Sequence, residues 1–330
     1  MAIRILTPKS TYTVDYPQAI EFAKKQTEIF WLPDEVEVEK DLHELKTNFT
    51  ESEYHGVIST LKLFTLYELN VGNDYWQNYV SKVFPRPDIQ RMAATFAFFE
   101  IAVHAPFYSK INELLGLDTD EFYSDYLNDD VLKNRMAWIG KRLEKRETLL
   151  DKLKSVAIFS MIEGAILYSS FAFLKHFNNV GKNKLINVNA GVNFSVTDET
   201  IHSEAGAWLF RTLLDEAIAD NAITEEEIET LKLELEETAR IIYEHECCII
   251  DKNFEIGPIK GTSAKQLKNF VQSRLDTCLT NLKFKKIFNP TYNPIAEWFY
   301  KDLDSSVLHD FFNSQGNDYN RNWIEGRFLW

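Results

Sequence analysis

The chain has 330 residues, enough for one large core or two ordinary domains, and 45% of them are hydrophobic, including 24 phenylalanines. Only 12 glycines and 9 prolines interrupt it, which argues against a turn-rich β architecture and for long helices. A formal net charge of -14 excludes a general binder of nucleic acid or of anionic membranes.

The opening stretch "MAIRILTPKS" lacks an apolar core of signal-peptide length. No uninterrupted apolar run in the sequence approaches the length of a membrane span. The cysteines Cys247, Cys248 and Cys278 have no CxxC spacing, which fits a reducing compartment. A soluble, cytoplasmic protein is expected.

Helical signals then follow one another. "TESEYHGVISTLKLFTLYELNV" opens with a Thr50–Glu53 capping box and continues with helical apolar spacing. "PDIQRMAATFAFFEIAVHAPFYSKINELLG" begins just after Pro87 and stops at Gly116, the usual punctuation of a long helix. "KLKSVAIFSMIEGAILYSSFAFLKHF" is apolar nearly all round, as a buried helix would be. "TEEEIETLKLELEETARIIYEHECCII" begins with a second capping box, Thr224–Glu227, and "SAKQLKNFVQSRLDTCLTNL" is a further amphipathic helix. After "NPTYNPIAEW" the pattern weakens. The expected organisation is a ferritin-like all-α bundle of long helices over residues 1–304, followed by a flexible C-terminal tail over 305–330.

The apolar helices carry isolated acids. Glu68 lies in "LKLFTLYELNV", Glu100 in "TFAFFEIAVH" and Glu163 in "IFSMIEGAILY". "DETIHSEAG" adds Glu199 and His202, three apart and so on one helix face, and His104 follows Glu100 by four. A buried carboxylate without a partner costs several kcal/mol or stays protonated, so each acid needs a counterpart. Four glutamates and two histidines from four helices form the ligand set of a carboxylate-bridged dinuclear metal centre in a helical bundle. Oxygen donors with one nitrogen per metal suit iron or manganese, and the absence of thiolates argues against structural zinc. Glu244, His245 and Glu246 in "YEHECC" have no complementing element and read as structural or solvent-facing.

With these residues assembled, the chain resembles the small, radical-generating (beta) subunit of class I ribonucleotide reductase, from about Phe30 to Tyr319. "IFWLPDEV" resembles the family's Trp-Pro-acid segment, and "LKLFTLYE", "SMIEGAILYSSFAF" and "DETIHSE" resemble its ligand helices. "NFVQSRLDTCL" with "NPTYNPI" resembles the closing helix and the segment after it, and "GNDYNR" the tail motif. The resemblance implies that Glu68, Glu100 and His104 serve one metal and Glu163, Glu199 and His202 the other, with some carboxylates bridging. It further implies that Tyr108 occupies the stable-radical position. Trp31, Asp198 and His104 would form the inner end of a radical path, and Tyr319 would pass the radical to the large subunit. The implied function is to generate and store a one-electron oxidant for reduction of ribonucleoside diphosphates by the large (alpha) subunit. A homodimer and an activating flavodoxin-like partner are the other associations it implies. The alternative on the same fold is a dinuclear oxidase of a bound organic ligand, which has no need of Tyr319 or a docking tail.

The chain departs from the family pattern in three ways. Glu68 stands where the best-known tyrosyl-radical members have Asp, and resembles branches that use manganese, as a pair or with iron. "EIAVH" spaces Glu100 and His104 by four where three is usual. One extra residue turns a regular helix by about 100°, so a local π turn between Glu100 and His104 is expected to restore both ligands. Ser195 and Thr197 replace an apolar and a basic residue.

Overall fold

The computed structural model describes residues 3–179 and 182–300. Helix α1 (Pro17–Glu28) starts on a proline, whose fixed φ suits a first turn, and α2 (Glu39–Thr47) follows. Helix α3 spans 51–83: it is regular over Glu51–Asn70, π-helical over Val71–Val80, and closes with Ser81–Val83. The expected capping box is present, with Glu53 N donating to Thr50 Oγ1 at 3.2 Å and Thr50 N donating to Glu53 Oε2 at 3.0 Å.

Helix α4 spans 87–115, with regular segments Pro87–Phe99 and Ala105–Leu115 flanking a π turn, Glu100–His104. It ends at Gly116, whose φ of 76° places it in the left-handed region that glycine adopts without penalty. After the short α5 (Asp120–Ser124) come α6 (Asp130–Glu144) and α7, which is continuous over Leu149–Lys175 and contains a π turn at Ile162–Ile166. Helices α8 (Ile186–Ala219), α9 (Glu225–Asn253) and α10 (Ala264–Asn281) complete the bundle.

Helix α8 packs along α7, α1 along α4, and α4 against the π-helical stretch of α3, so α3, α4, α7 and α8 enclose a common core. Aromatic rings fill it: Tyr75 stacks on Phe159 with centroids 4.0 Å apart, and Trp76 meets Phe96 edge to face at 4.8 Å. Burying each such ring contributes roughly 1.5–3 kcal/mol.

Two expectations change here. Helix α7 is long and apolar enough to cross a membrane, with a mean hydropathy of 1.6, but that window is wholly buried and forms the centre of the bundle. Glu246, read as structural or solvent-facing and without a complementing element, is buried and structural, and it does have a partner. It pairs with Arg135 of α6 at 2.6 Å and accepts from Ser169 Oγ at 2.5 Å, an ion pair inside the core.

Residues 305–330, the expected tail with Tyr319, lie outside the described residues.

Candidate metal centre

Glu68 from α3, Glu100 and His104 from α4, Glu163 from α7, and Glu199 and His202 from α8 are all buried and meet between the four helices. Their donor atoms form two sets, each with its atoms within 4.8 Å of one another: Glu68, Glu100, His104 and Glu199 in one, Glu100, Glu163, Glu199 and His202 in the other. Glu100 and Glu199 belong to both.

The π turn is what brings the α4 pair together. Ala105 N donates to Glu100 O, a five-residue bond that absorbs the extra residue between Glu100 and His104. His104 Nδ1 then lies 3.1 Å from Glu100 Oε2, 3.6 Å from Glu68 Oε2 and 3.3 Å from Glu199 Oε1. His202 Nδ1 lies 2.5 Å from Glu100 Oε1, 3.9 Å from Glu199 Oε2 and 4.0 Å from Glu163 Oε2.

Hydrogen bonding satisfies only part of this cluster. Glu100 Oε1 and His202 Nδ1 are close without the orientation of donor and acceptor, and neither has a hydrogen-bond partner. Glu68 Oε1, Glu199 Oε1 and His202 Nε2 are likewise buried without one. His104 Nε2 donates to Asp198 Oδ2 at 2.9 Å, and Nδ1 lies against three carboxylates, with Glu100 at hydrogen-bond distance. Four carboxylates and two imidazoles packed this closely need positive charge between them, whether protons or metal cations. Four carboxylates and two imidazole nitrogens fit two hard or borderline divalent ions.

The charges show the same demand. Burial, and then the Glu100 charge, push the Glu68 carboxyl well above its usual range. Burial with the neighbouring Glu199 and Glu100 does the same to Glu163. Glu199 is pushed up to about 8 by burial and by Glu100. Burial would raise Glu100 too, but the His104 and His202 imidazoles overcome it and hold Glu100 below the usual carboxylate range. Without cations the cluster therefore retains protons that divalent ions would displace.

Around this cluster, Asp198 accepts from Trp31 Nε1 at 2.8 Å as well as from His104. Gln26 of α1 donates to its other oxygen at 2.7 Å, and Trp76 Nε1 donates to Glu163 Oε1 at 2.5 Å. The sequence reading missed both residues. Trp76 lies in the π-helical stretch, where a 3.6-residue period breaks down, and Gln26 is the one polar residue on the buried stripe of α1, which also carries Ala19, Phe22 and Ala23. Tyr108 is buried, stacks on Phe64 with centroids 4.1 Å apart, and donates to Ser195 Oγ at 3.1 Å.

Comparison with known proteins shows the family. The family described as ribonucleotide reductase, small chain, matches residues 9–294. The chain belongs to the ribonucleotide reductase small-chain family. Among its relatives, a probable ribonucleoside-diphosphate reductase small subunit of Invertebrate iridescent virus 3 is 23% identical, over 99% of this chain and 89% of that protein. The ribonucleoside-diphosphate reductase subunit beta of Chlamydia pneumoniae is 26% identical, over 88% and 83%. In fold, this small chain matches the crystal structure of Streptococcus sanguinis dimanganese(II)-NrdF with a TM-score of 0.72 at 21% identity, covering 88% of this chain and 97% of that one. A putative class I ribonucleotide reductase from Bacillus halodurans matches with a TM-score of 0.71 at 22% identity, over 87% and 99%. The small chain is thus the radical-generating beta subunit of ribonucleoside-diphosphate reductase, and it works with a large subunit.

Proposed function

We propose that Glu68, Glu100, His104 and Glu199 hold one metal ion, and Glu100, Glu163, Glu199 and His202 a second, with Glu100 and Glu199 common to both. The sharing of those two carboxylates between the donor sets is the observation that carries this reading. Once reduced and exposed to oxygen or a reduced oxygen species, such a metal pair supplies a one-electron oxidant. The protein's part is to hold that oxidant in a dry core and to conduct it outward.

His104 is fixed by Asp198, the usual way an outer carboxylate orients a ligand imidazole. Trp31 shares that carboxylate, so the proton on Trp31 Nε1 has an acceptor as the indole loses an electron. From Trp31 the hole would pass to Tyr319 and on to the large subunit, with the tail over 305–330 as the docking segment. Tyr108, beside Glu68 and His104 in the cluster's field, is the position for a stored tyrosyl radical.

For the metal we favour manganese, as a pair or with iron. The support is Glu68 in the first-ligand position. A homodimer, a flavodoxin-like activating partner and a cytoplasmic location complete the proposal.

The test is to load metal-free protein with Mn(II) or Fe(II), count bound ions, and assay nucleoside-diphosphate reduction with the large subunit. Two ions per chain are expected, and one ion in a fully active protein would refute the ligand assignment. Tyr319→Phe should bind the large subunit normally and lose turnover. Normal turnover by that variant would remove Tyr319 from the path.

A further inference from the structure

Arg274 of α10 is buried, and no carboxylate lies within ion-pair distance of it among the described residues. Its guanidinium is spent on other groups. Nε donates to the carbonyl of Gly164 at 2.9 Å, inside the π turn of α7 and next to Glu163. Nη1 donates to the Tyr300 hydroxyl at 3.0 Å, five residues ahead of the expected tail over 305–330.

The guanidinium also lies over the Tyr168 ring, 3.8 Å from its centroid, and the Tyr168 hydroxyl is 2.8 Å from Thr200 Oγ1, the residue after Glu199. Gly164 permits this approach. A side-chain carbon there would collide with Ser203 and Cys278, so only glycine lets α8 and α10 close onto the π turn. A buried charge without a counter-ion is costly, and here it spans two ligand-bearing segments and the base of the tail.

We propose that Arg274 is a positioning residue that ties the base of the C-terminal segment, through Tyr300, to the placement of Glu163. This rests on the reading of Glu163 as a metal ligand. A displacement of the chain at Tyr300 reaches the Gly164 carbonyl through two hydrogen bonds to one rigid, planar group.

The test is titration of metal-free, full-length protein with Mn(II), by calorimetry and by electron paramagnetic resonance of free Mn(II). Arg274→Lys should weaken the ion that depends on Glu163 by about tenfold, as loss of an outer-sphere partner does. Tyr300→Phe, which removes one hydrogen bond, should weaken that same ion by about fivefold. The ion held through Glu68 and His104 should keep its affinity in both variants. Equal weakening of both ions, as a general structural defect produces, or no weakening of either, overturns the inference. If Arg274→Lys fails to fold, Tyr300→Phe decides alone. Glu163→Gln separates the two ideas. If it still takes up two Mn(II), the ligand reading fails and the inference with it. If it takes up one while the other variants titrate like the parent, only the Arg274 link fails.

Discussion

Trp31 and His104 meet on a single oxygen: both ring N–H groups donate to Asp198 Oδ2, at 2.8 and 2.9 Å, and the two rings are tilted only 28° with centroids 6.0 Å apart. One carboxylate thus accepts from the imidazole and the indole together. Asp198→Asn should leave two ions bound per chain but lower nucleotide reduction by about 100-fold, the upper range for loss of an outer-sphere carboxylate. Metal analysis beside a turnover assay checks this, and unimpaired turnover would detach Trp31 from the path.

Tyr108 is walled in by Phe64 and held by Ser195. Burial, with the Glu68 charge beside it, raises its hydroxyl well above the ordinary range, so it is a neutral phenol at working pH. If manganese stores the hole, Tyr108→Phe should turn over within about threefold of the parent. Complete loss with full metal loading would place the hole on Tyr108 instead.

The π turn at Glu100–His104 implies a simple deletion experiment. Removing Ala102, whose side chain is exposed, should let α4 run as a regular helix with Glu100 and His104 three apart and both still inside. Two ions per chain should remain. Inserting a further alanine after Ala102 should rotate His104 by about 100° and cost one ion. Binding of two ions by the insertion variant would mean that His104 is dispensable.

Without metal, the protein should lose stability as pH rises. Glu199 has a folded value of about 8 against an ordinary 4.5, and Glu68 and Glu163 are raised in the same sense. A carboxyl raised on folding stabilises fully below its unfolded value, and that contribution fades as pH climbs through the folded one. The melting temperature of metal-free protein should therefore fall between about pH 4.5 and 8, the window that Glu199 sets. Metal-loaded protein, whose carboxylates are neutralised by the ions, should not show this fall. Calorimetric scans at several pH values compare the two.

The six clustered residues were legible because each is a polar residue where periodicity demands an apolar one. The capping boxes at Thr50 and Thr224 and the stop at Gly116 were legible because their chemistry is local. The π-helical stretches at Val71–Val80 and Ile162–Ile166 left no such mark, since a widened turn is set by what packs around it rather than by composition. Only the Glu100–His104 turn showed, through its ligand spacing. Arg135, the partner of Glu246, was invisible for a related reason: it stands among the basic residues of α6, and burial alone distinguishes it.

Helix α8 carries Glu199 and His202 on 34 residues without a break, whereas Glu100 and Glu163 sit inside π turns and Glu68 lies just ahead of one. The donor sets therefore rest on two kinds of backbone. Helix α8 presents Glu199 and His202 in regular register, whereas the other three helices present their ligands from, or just ahead of, a widened turn. Of the two carboxylates common to both sets, Glu199 stands on the regular helix and Glu100 on a widened turn.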